Sequence, residues 1–245
     1  MKRIILSLVS VLFIFNTAHS QIWEYILAEG FSSTVRDKVM TQDGGLVLCG
    51  DYCAGSFITE FTYNAFVMKL SANGQVEWNN LYFVSDDENV ANGIDENAAG
   101  ELLVSLSRND TTFLRKLSSD GNLIWEVMDP NHSKPRDVAV ADNNTIYWSR
   151  RGFSELDVMT SKYDNDGNLI WETDQFAGEI IKTYGPDSIQ CTGPEIWYEI
   201  DPATGNIIES LPVMIETDPD HQSRIQDMYI HESLGPIILG GLDIQ

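Results

Sequence analysis

Apolar positions along this chain come in short runs separated by clusters of Asn, Asp, Gly, Ser and Thr, and no stretch keeps the three-and-four spacing of an amphipathic helix. Residues 91–96, 102–106, 112–118 and 123–127 read as four strands in succession. A second set runs from Arg36 through 46–49 and 66–70 to Trp78, and a third occupies 137–141, 145–148, 159–163 and 169–171. Each set follows one plan: a strand, a tight turn, a second strand, a connection of variable length, then a hairpin that ends in tryptophan.

The hairpin is the signature of the repeat. Asn73-Gly74-Gln75-Val76-Glu77-Trp78, Asp120-Gly121-Asn122-Leu123-Ile124-Trp125 and Asp166-Gly167-Asn168-Leu169-Ile170-Trp171 are three copies of it. Their glycines stand 47 and 46 residues apart, the period of a four-stranded propeller blade. Asn-Gly and Asp-Gly favour a two-residue turn with positive φ at both central positions. Counting outward from such a turn sets Lys69 opposite Trp78, Lys116 opposite Trp125 and Lys162 opposite Trp171. That pairing predicts a lysine stem lying on each indole, with a cation–π attraction of about 0.5–1 kcal/mol. One indole per unit at fixed register is what stacked repeats require, so these glycines, tryptophans and lysines are assigned to the fold and not to a ligand platform.

The fourth unit is degenerate. Residues 196–200 lead into Asp201-Pro202-Ala203-Thr204-Gly205-Asn206, and there Glu199 stands near the lysine position and Glu209 at the tryptophan position. A fifth unit begins at residues 225–230 and continues through 236–241 without a hairpin of the same kind. The expected fold is therefore all-β: a β-propeller of about five four-stranded blades, with units near 28–82, 83–129, 130–175, 176–211 and a partial 212–245. The last blade is short, and the strand at residues 21–25 is expected to complete it and leave few open edges.

The ends and the charge narrow the setting. Lys2 and Arg3 precede an apolar run over residues 4–15, and Ala18-His19-Ser20 offers small residues for cleavage, so residues 1–20 read as a secretory signal peptide. That run falls short of the ~20 residues that span a bilayer, and no membrane span is expected. The full sequence carries a formal net charge of −22, which becomes −24 without Lys2 and Arg3 and excludes a phosphate-backbone partner. The location expected is secreted or in the cell envelope, with acidity serving solubility. Cys49, Cys53 and Cys191 are too few for a disulfide scaffold. Cys49 and Cys53 can bridge only if the chain turns back between them; otherwise Cys49 is a small buried strand residue.

Asp43-Gly44-Gly45-Leu46-Val47-Leu48-Cys49-Gly50, Phe66-Val67-Met68-Lys69-Leu70 and the Asn73-Gly74 to Trp78 hairpin together resemble the secreted propeller repeats common in Bacteroidetes. The glycine-to-tryptophan beat, with Asp201-Pro202-Ala203-Thr204-Gly205, is similar to the quinoprotein-like (PQQ) propeller repeat, in which that tryptophan docks one blade on the next. The resemblance implies a fold more than an activity. Quinoprotein dehydrogenases have larger rings, with adjacent cysteines and a calcium site that this chain does not match, so no cofactor is expected. Many of the Bacteroidetes proteins carry a further C-terminal sorting domain, so either the ring closes on a short blade or the protein extends beyond Gln245.

Candidate chemistry is sparse. Ser118-Ser119-Asp120-Gly121 lacks the spacing of a sialidase-type Asp-box, and Asp164-Asn165-Asp166-Gly167-Asn168 has Leu169 where a calcium loop needs glycine. Asp86-Asp87-Glu88 and the run from Glu216 to His221 read as solvated acidic loops, and His132 and His231 lack a second ligand at metal spacing, so no metal site is assigned. No nucleophile elbow or Cys-His signature is present, and no catalytic residue is named. Ligands are expected on the face made by the non-repeating connections: residues 51–62, 107–111 and 150–156 and the clusters around Asp86 and Asp218. There Trp148, Arg150 and Arg151 form a basic exception and a candidate site for an anion or carboxylate, unless both arginines answer neighbouring acids. The function expected is a monomeric, non-catalytic scaffold that binds a protein or a glycan. The alternatives are a propeller enzyme, hydrolytic or quinoprotein-like, and a ring in an envelope assembly.

Overall fold

The computed structural model describes residues 32–54, 62–82, 89–152, 154, 157–175, 178–184, 188–192, 196–212, 222–231 and 235–243, with side chains placed as far as Pro212. The protein is all-β. Blade 1 comprises β1 (Ser32–Met40), β2 (Leu46–Ala54), β3 (Thr62–Leu70) and β4 (Val76–Tyr82). Blade 2 has β5 (Val90–Glu96), β6 (Leu102–Arg108), β7 (Thr111–Leu117) and β8 (Leu123–Asp129). Blade 3 has β9 (Lys134–Val140), β10 (Ile146–Arg151), β11 (Val158–Tyr163) and β12 (Leu169–Thr173). Blade 4 has β13 (Ile180–Tyr184), β14 (Ser188–Thr192), β15 (Ile196–Ile200) and β16 (Ile207–Pro212), and β17 (Gln222–His231) pairs with β18 (Gly235–Asp243) as a fifth, two-stranded sheet. Every sheet is an antiparallel meander. The shortened fourth unit thus still holds four strands, including β13 and β14, which no sequence run announced. The strand expected at residues 21–25 lies outside the described residues, and the described sheets do not close a ring. Among the described residues no helix is long and apolar enough to cross a membrane.

First strands pack on first strands, β1 on β5, β5 on β9, β9 on β13 and β13 on β17, so the first strand of each blade lies nearest the axis. The core sits between blades, where Val47, Val67, Val104 and Phe113 meet across the first seam and Leu114, Val138 and Trp148 across the second. Cys49 and Cys53 lie on the single strand β2 and are free and buried, as is Cys191, so no turn brings the first two together.

The tryptophan hairpins are built differently from the two-residue turn expected of them. Gly74 N–H donates to Ser71 O (2.8 Å) and Ser71 N–H to Gln75 O (2.8 Å), so three residues form the loop. Within Ala72-Asn73-Gly74 only Gly74 has positive φ, at 76°. This is a type I turn closed by a left-handed glycine, and it comes with a bulge one step further on: Leu70 faces Val76 but Lys69 faces Trp78, leaving Glu77 as the extra residue. The longer loop and the bulge offset each other. Lys116–Trp125 and Lys162–Trp171 pair in the same way, and Glu199 faces Glu209 in blade 4. The turn with positive φ at two successive residues is instead Asn109-Asp110 (φ 50° and 58°), at the other end of blade 2.

Each indole reaches into the next blade. Trp78 Nε1–H donates to Ser119 O (2.9 Å), Trp125 to Asn165 O (3.2 Å) and Trp171 to Pro202 O (3.1 Å). The ring lies against the glycine of that blade's turn, so close that a Cβ on Gly121 would stand 2.9 Å from Trp78 Cδ2 and one on Gly205 2.8 Å from Trp171 Cε3. The lysines do not rest their charge on these indoles, which corrects the expected cation–π pairing. Lys69 Nζ goes to Asp43 and Glu77, Lys116 Nζ to Glu101 and to Asn165 O and Oδ1, and Lys162 Nζ to Pro202 O (2.6 Å). A nearly buried ammonium needs oxygen more than it needs a ring face. Among the described residues the aromatic contact of these lysines is Lys162 over Tyr147, at 5.6 Å.

Candidate functional site

A cavity of about 610 Å³ opens at the end of the sheets opposite the tryptophan hairpins, lined by residues of blades 1, 2 and 3. Irregularities in the axial strands build it. Between Val35 and Asp37, β1 carries one residue more than β2; β5 does the same between Ala91 and Gly93, and β9 has two residues between Pro135 and Val138 where β10 has one. The extra residues are Arg36, Asn92 and Arg136, and all three line the cavity. A bulge re-aims the side chain it inserts, which brings these three from the strands to one mouth.

The connections complete the lining. Asn89 donates from its backbone N–H (3.0 Å) and its Nδ2 (3.2 Å) to Tyr63 O, which ties the entry of β5 to the start of β3 and leaves the Tyr63 ring half-exposed at the rim. The Asn109-Asp110 turn lets Arg108 face Thr111 directly and presents Asp110. His132 is buried, with Nδ1 2.8 Å from Asp129 Oδ2, and its carbonyl accepts from Thr112 N–H (3.1 Å); this anchors the connection that carries Ser133, Lys134 and Pro135 to the rim.

Charge in the cavity runs against that of the chain. Arg36, Lys134 and Arg136 face Asp51 and Asp110 there, a positive balance in a protein of net charge −22. Arg36 Nε donates to the buried Asp51 (2.5 Å), and Arg136 Nη2 lies 3.5 Å from Glu179. Asn92 Nδ2 donates to Arg136 O at 3.3 Å, joining the bulges of blades 2 and 3.

The same axial strands hold a set of carboxylates. Asp37 Oδ2 accepts from Ile94 N–H (2.8 Å), Asp95 Oδ2 from Val140 N–H (2.7 Å) and Asp137 Oδ2 from Ile181 N–H (2.9 Å), so each aspartate clamps the axial strand of the next blade. Their other oxygens accept from Lys38, Glu96 and Val138 N–H. Burial pushes all three carboxyls up, Asp95 to about 6, against the pull of these hydrogen bonds and of Lys182 on β13; Asp137 is raised further by the charge of Asp37.

The residues expected to form an anion site are placed elsewhere. Trp148 is fully buried and donates from Nε1 to Ser105 Oγ of blade 2 (2.9 Å). Arg150, 3% exposed, stacks over that indole at 4.2 Å and is held by Asp129, Ser161 and Glu172. Burial and saturation by acids withdraw both from a ligand, and Arg151 lies 4.0 Å from Glu179. The alternative, that the arginines answer neighbouring acids, describes the geometry. Asp164-Asn165-Asp166-Gly167 is a turn, with Asp164 Oδ1 accepting from Asp166 and Asn168 N–H. The acidic runs around Asp86 and Asp218 lie outside the described residues, and among the described residues no three ligand side chains gather as a metal site would need. The spans 51–62 and 107–111 did contain Asp51, Ser107 and Asp110, but Arg36, Tyr63, Asn92, Lys134 and Arg136 were missed. Their signal was Arg36-Asp37 recurring as Arg136-Asp137 in the first strands of blades 1 and 3, hidden because blade 2 has Asn92-Gly93 there.

No protein-family model matches the chain, and neither does any curated protein. Solved structures do resemble it. A protein of unknown function from Bacteroides caccae superposes with a TM-score of 0.57 at 12% identity, over 89% of this chain and 73% of that one. The Neurospora crassa Pan2 WD40 domain gives 0.56 at 14% identity, over 84% and 60% of the two chains, and the Dos1 propeller 0.52 at 10%, over 86% and 65%. At such identities the likeness concerns the fold, and it makes this chain a propeller-repeat protein.

Proposed function

We propose that this protein is a secreted, non-catalytic binding propeller that takes a glycan or protein ligand at the cavity between blades 1, 2 and 3. One observation carries the reading: bulges in three axial strands and the non-repeating connections of the same blades converge on one polar cavity of about 610 Å³, a size that suits a small ligand or the end of a larger one. The rest of the repeat is committed to holding blades together. Its test is a glycan-array and pulldown screen of the purified chain beside a Tyr63→Ala/Lys134→Ala variant, which alters only rim side chains. Capture by the wild type and loss in the variant is expected; turnover of the captured ligand, or capture indifferent to the variant, would sink the reading.

A second reading, a ring in an envelope assembly, rests on the outer strands. Leu123 and Ile124, Leu169 and Ile170, and Ile208 are about half-exposed or more at the bulges of β8, β12 and β16, giving successive blades an apolar point at one register. Mutating these aliphatics to serine would then abolish co-purification with a partner while leaving the cavity's ligand bound.

A further inference from the structure

We propose that the cavity selects a carboxylate-bearing sugar, an inference that rests on the cavity being the binding site. Three of the 15 Lys and Arg residues of this acidic chain line one mouth, Arg36 beside Asp51, Arg136 beside Glu179, and Lys134 at the rim. Among the described residues Arg36 engages Asp51 through Nε alone, so its two terminal NH₂ groups remain to donate from a guanidinium whose orientation Asp51 fixes. A planar fork of that kind fits a carboxylate with two parallel bonds. Lys134 is exposed and has no ion-pair partner among the described residues, so it supplies a point charge at the rim. Because Arg36 and Arg136 come from axial strands, their spacing is set by the sheets and not by a loop.

The remainder of the lining suits a sugar ring. Tyr63, 38% exposed, offers a flat face for the C–H side of a pyranose, and the Ser107 hydroxyl on the cavity wall is placed to meet a sugar hydroxyl. Asp110 opposite takes a hydroxyl hydrogen. A free inorganic anion would use the cations and leave the aromatic face empty.

The test is a titration of the full purified chain, followed by two-dimensional NMR, with digalacturonate, with its neutral counterpart galactobiose and with a short acidic peptide. Digalacturonate should bind saturably, at least tenfold more tightly than galactobiose, and more weakly as salt rises. Lys134→Met should reduce that preference without altering thermal unfolding, and Tyr63→Ala should weaken both sugars. Equal binding of the two sugars, with loss in Tyr63→Ala, overturns the acidic class and leaves the cavity as the site. Peptide binding sensitive to Lys134→Met, with no sugar bound, overturns the sugar. No binding by any of the three, or shifts confined to residues away from the cavity, overturns the selection and the site together.

Discussion

Gly121 meets two demands at one position. Its φ of +78° belongs to the left-handed region, and the Trp78 ring lies where a Cβ would be. Gly44 meets only the first, with φ +81° and its nearest neighbour, Ala72 Cβ, an ordinary 3.6 Å away. Gly44→Ala should therefore cost about 1 kcal/mol and Gly121→Ala about 2–4 kcal/mol in denaturant unfolding, because only the second displaces an indole. Equal costs would mean that the ring is not seated on the turn. The buried aspartates give a second prediction at this scale. Asp95 has a folded pKa of about 6 against an ordinary 3.8, so the folded state binds its proton more tightly. Its contribution is complete below the ordinary value and is lost as pH rises through about 6, which is worth on the order of 2–3 kcal/mol. The opposite sign holds for Asp43, lowered by its hydrogen bond from Lys69, and for Asp129, where Arg150 overcomes the burial that opposes ionisation. Stability from these two is lost as pH falls below about 4. Maximum stability is thus expected near pH 4, where all three contributions are present, and Asp95→Asn should flatten the fall in melting temperature between about pH 4 and 6 in curves recorded across pH.

At the scale of the element, the Trp hairpin shows how far a sequence count can be right for the wrong reason. Asn73-Gly74 read as a two-residue turn set Lys69 opposite Trp78, and the observed three-residue loop with a bulge restores the same pairing. Blade 4 places Pro202 directly after Asp201, the position Ala72 holds after Ser71, although its loop is one residue longer, with Gly205 N–H donating to Asp201 O and Asp201 N–H to Asn206 O. Proline fits at Ala72 because its φ suits the first central position of a type I turn and, among the described residues, no hydrogen bond uses the Ala72 N–H. Ala72→Pro should accordingly be neutral or stabilising by up to about 1 kcal/mol. A two-residue turn would put Ala72 in the strand ladder, and the same change would then destabilise. The axial bulges were not legible. A bulge leaves no trace in the alternation of a short strand, and the Arg-Asp pair shared by blades 1 and 3 is broken in blade 2 by Asn92-Gly93.

For the whole molecule, the links run in series: Trp78, Trp125 and Trp171 at one end of the blades, Asp37, Asp95 and Asp137 along the axis. Blades 2 and 3 are held on both sides, whereas the hairpin of blade 4 has Glu199 and Glu209 in place of the lysine and the indole. Repeat proteins distribute stability by such nearest-neighbour contacts. Amide hydrogen exchange followed by mass spectrometry should find β6, β7 and β10 slowest and β16 fastest among the first four blades; exchange in blade 4 as slow as in blade 2 would contradict the serial arrangement. The sequence by itself determined the repeat, its period, the all-β class and the facing of lysine and tryptophan, because turn chemistry and strand pairing are local and recur. Only the tertiary structure decided what the lysines touch, that Arg150 is a core residue, and that three inserted side chains meet at one cavity, because each depends on a neighbouring blade whose distance along the chain says nothing of its distance in space.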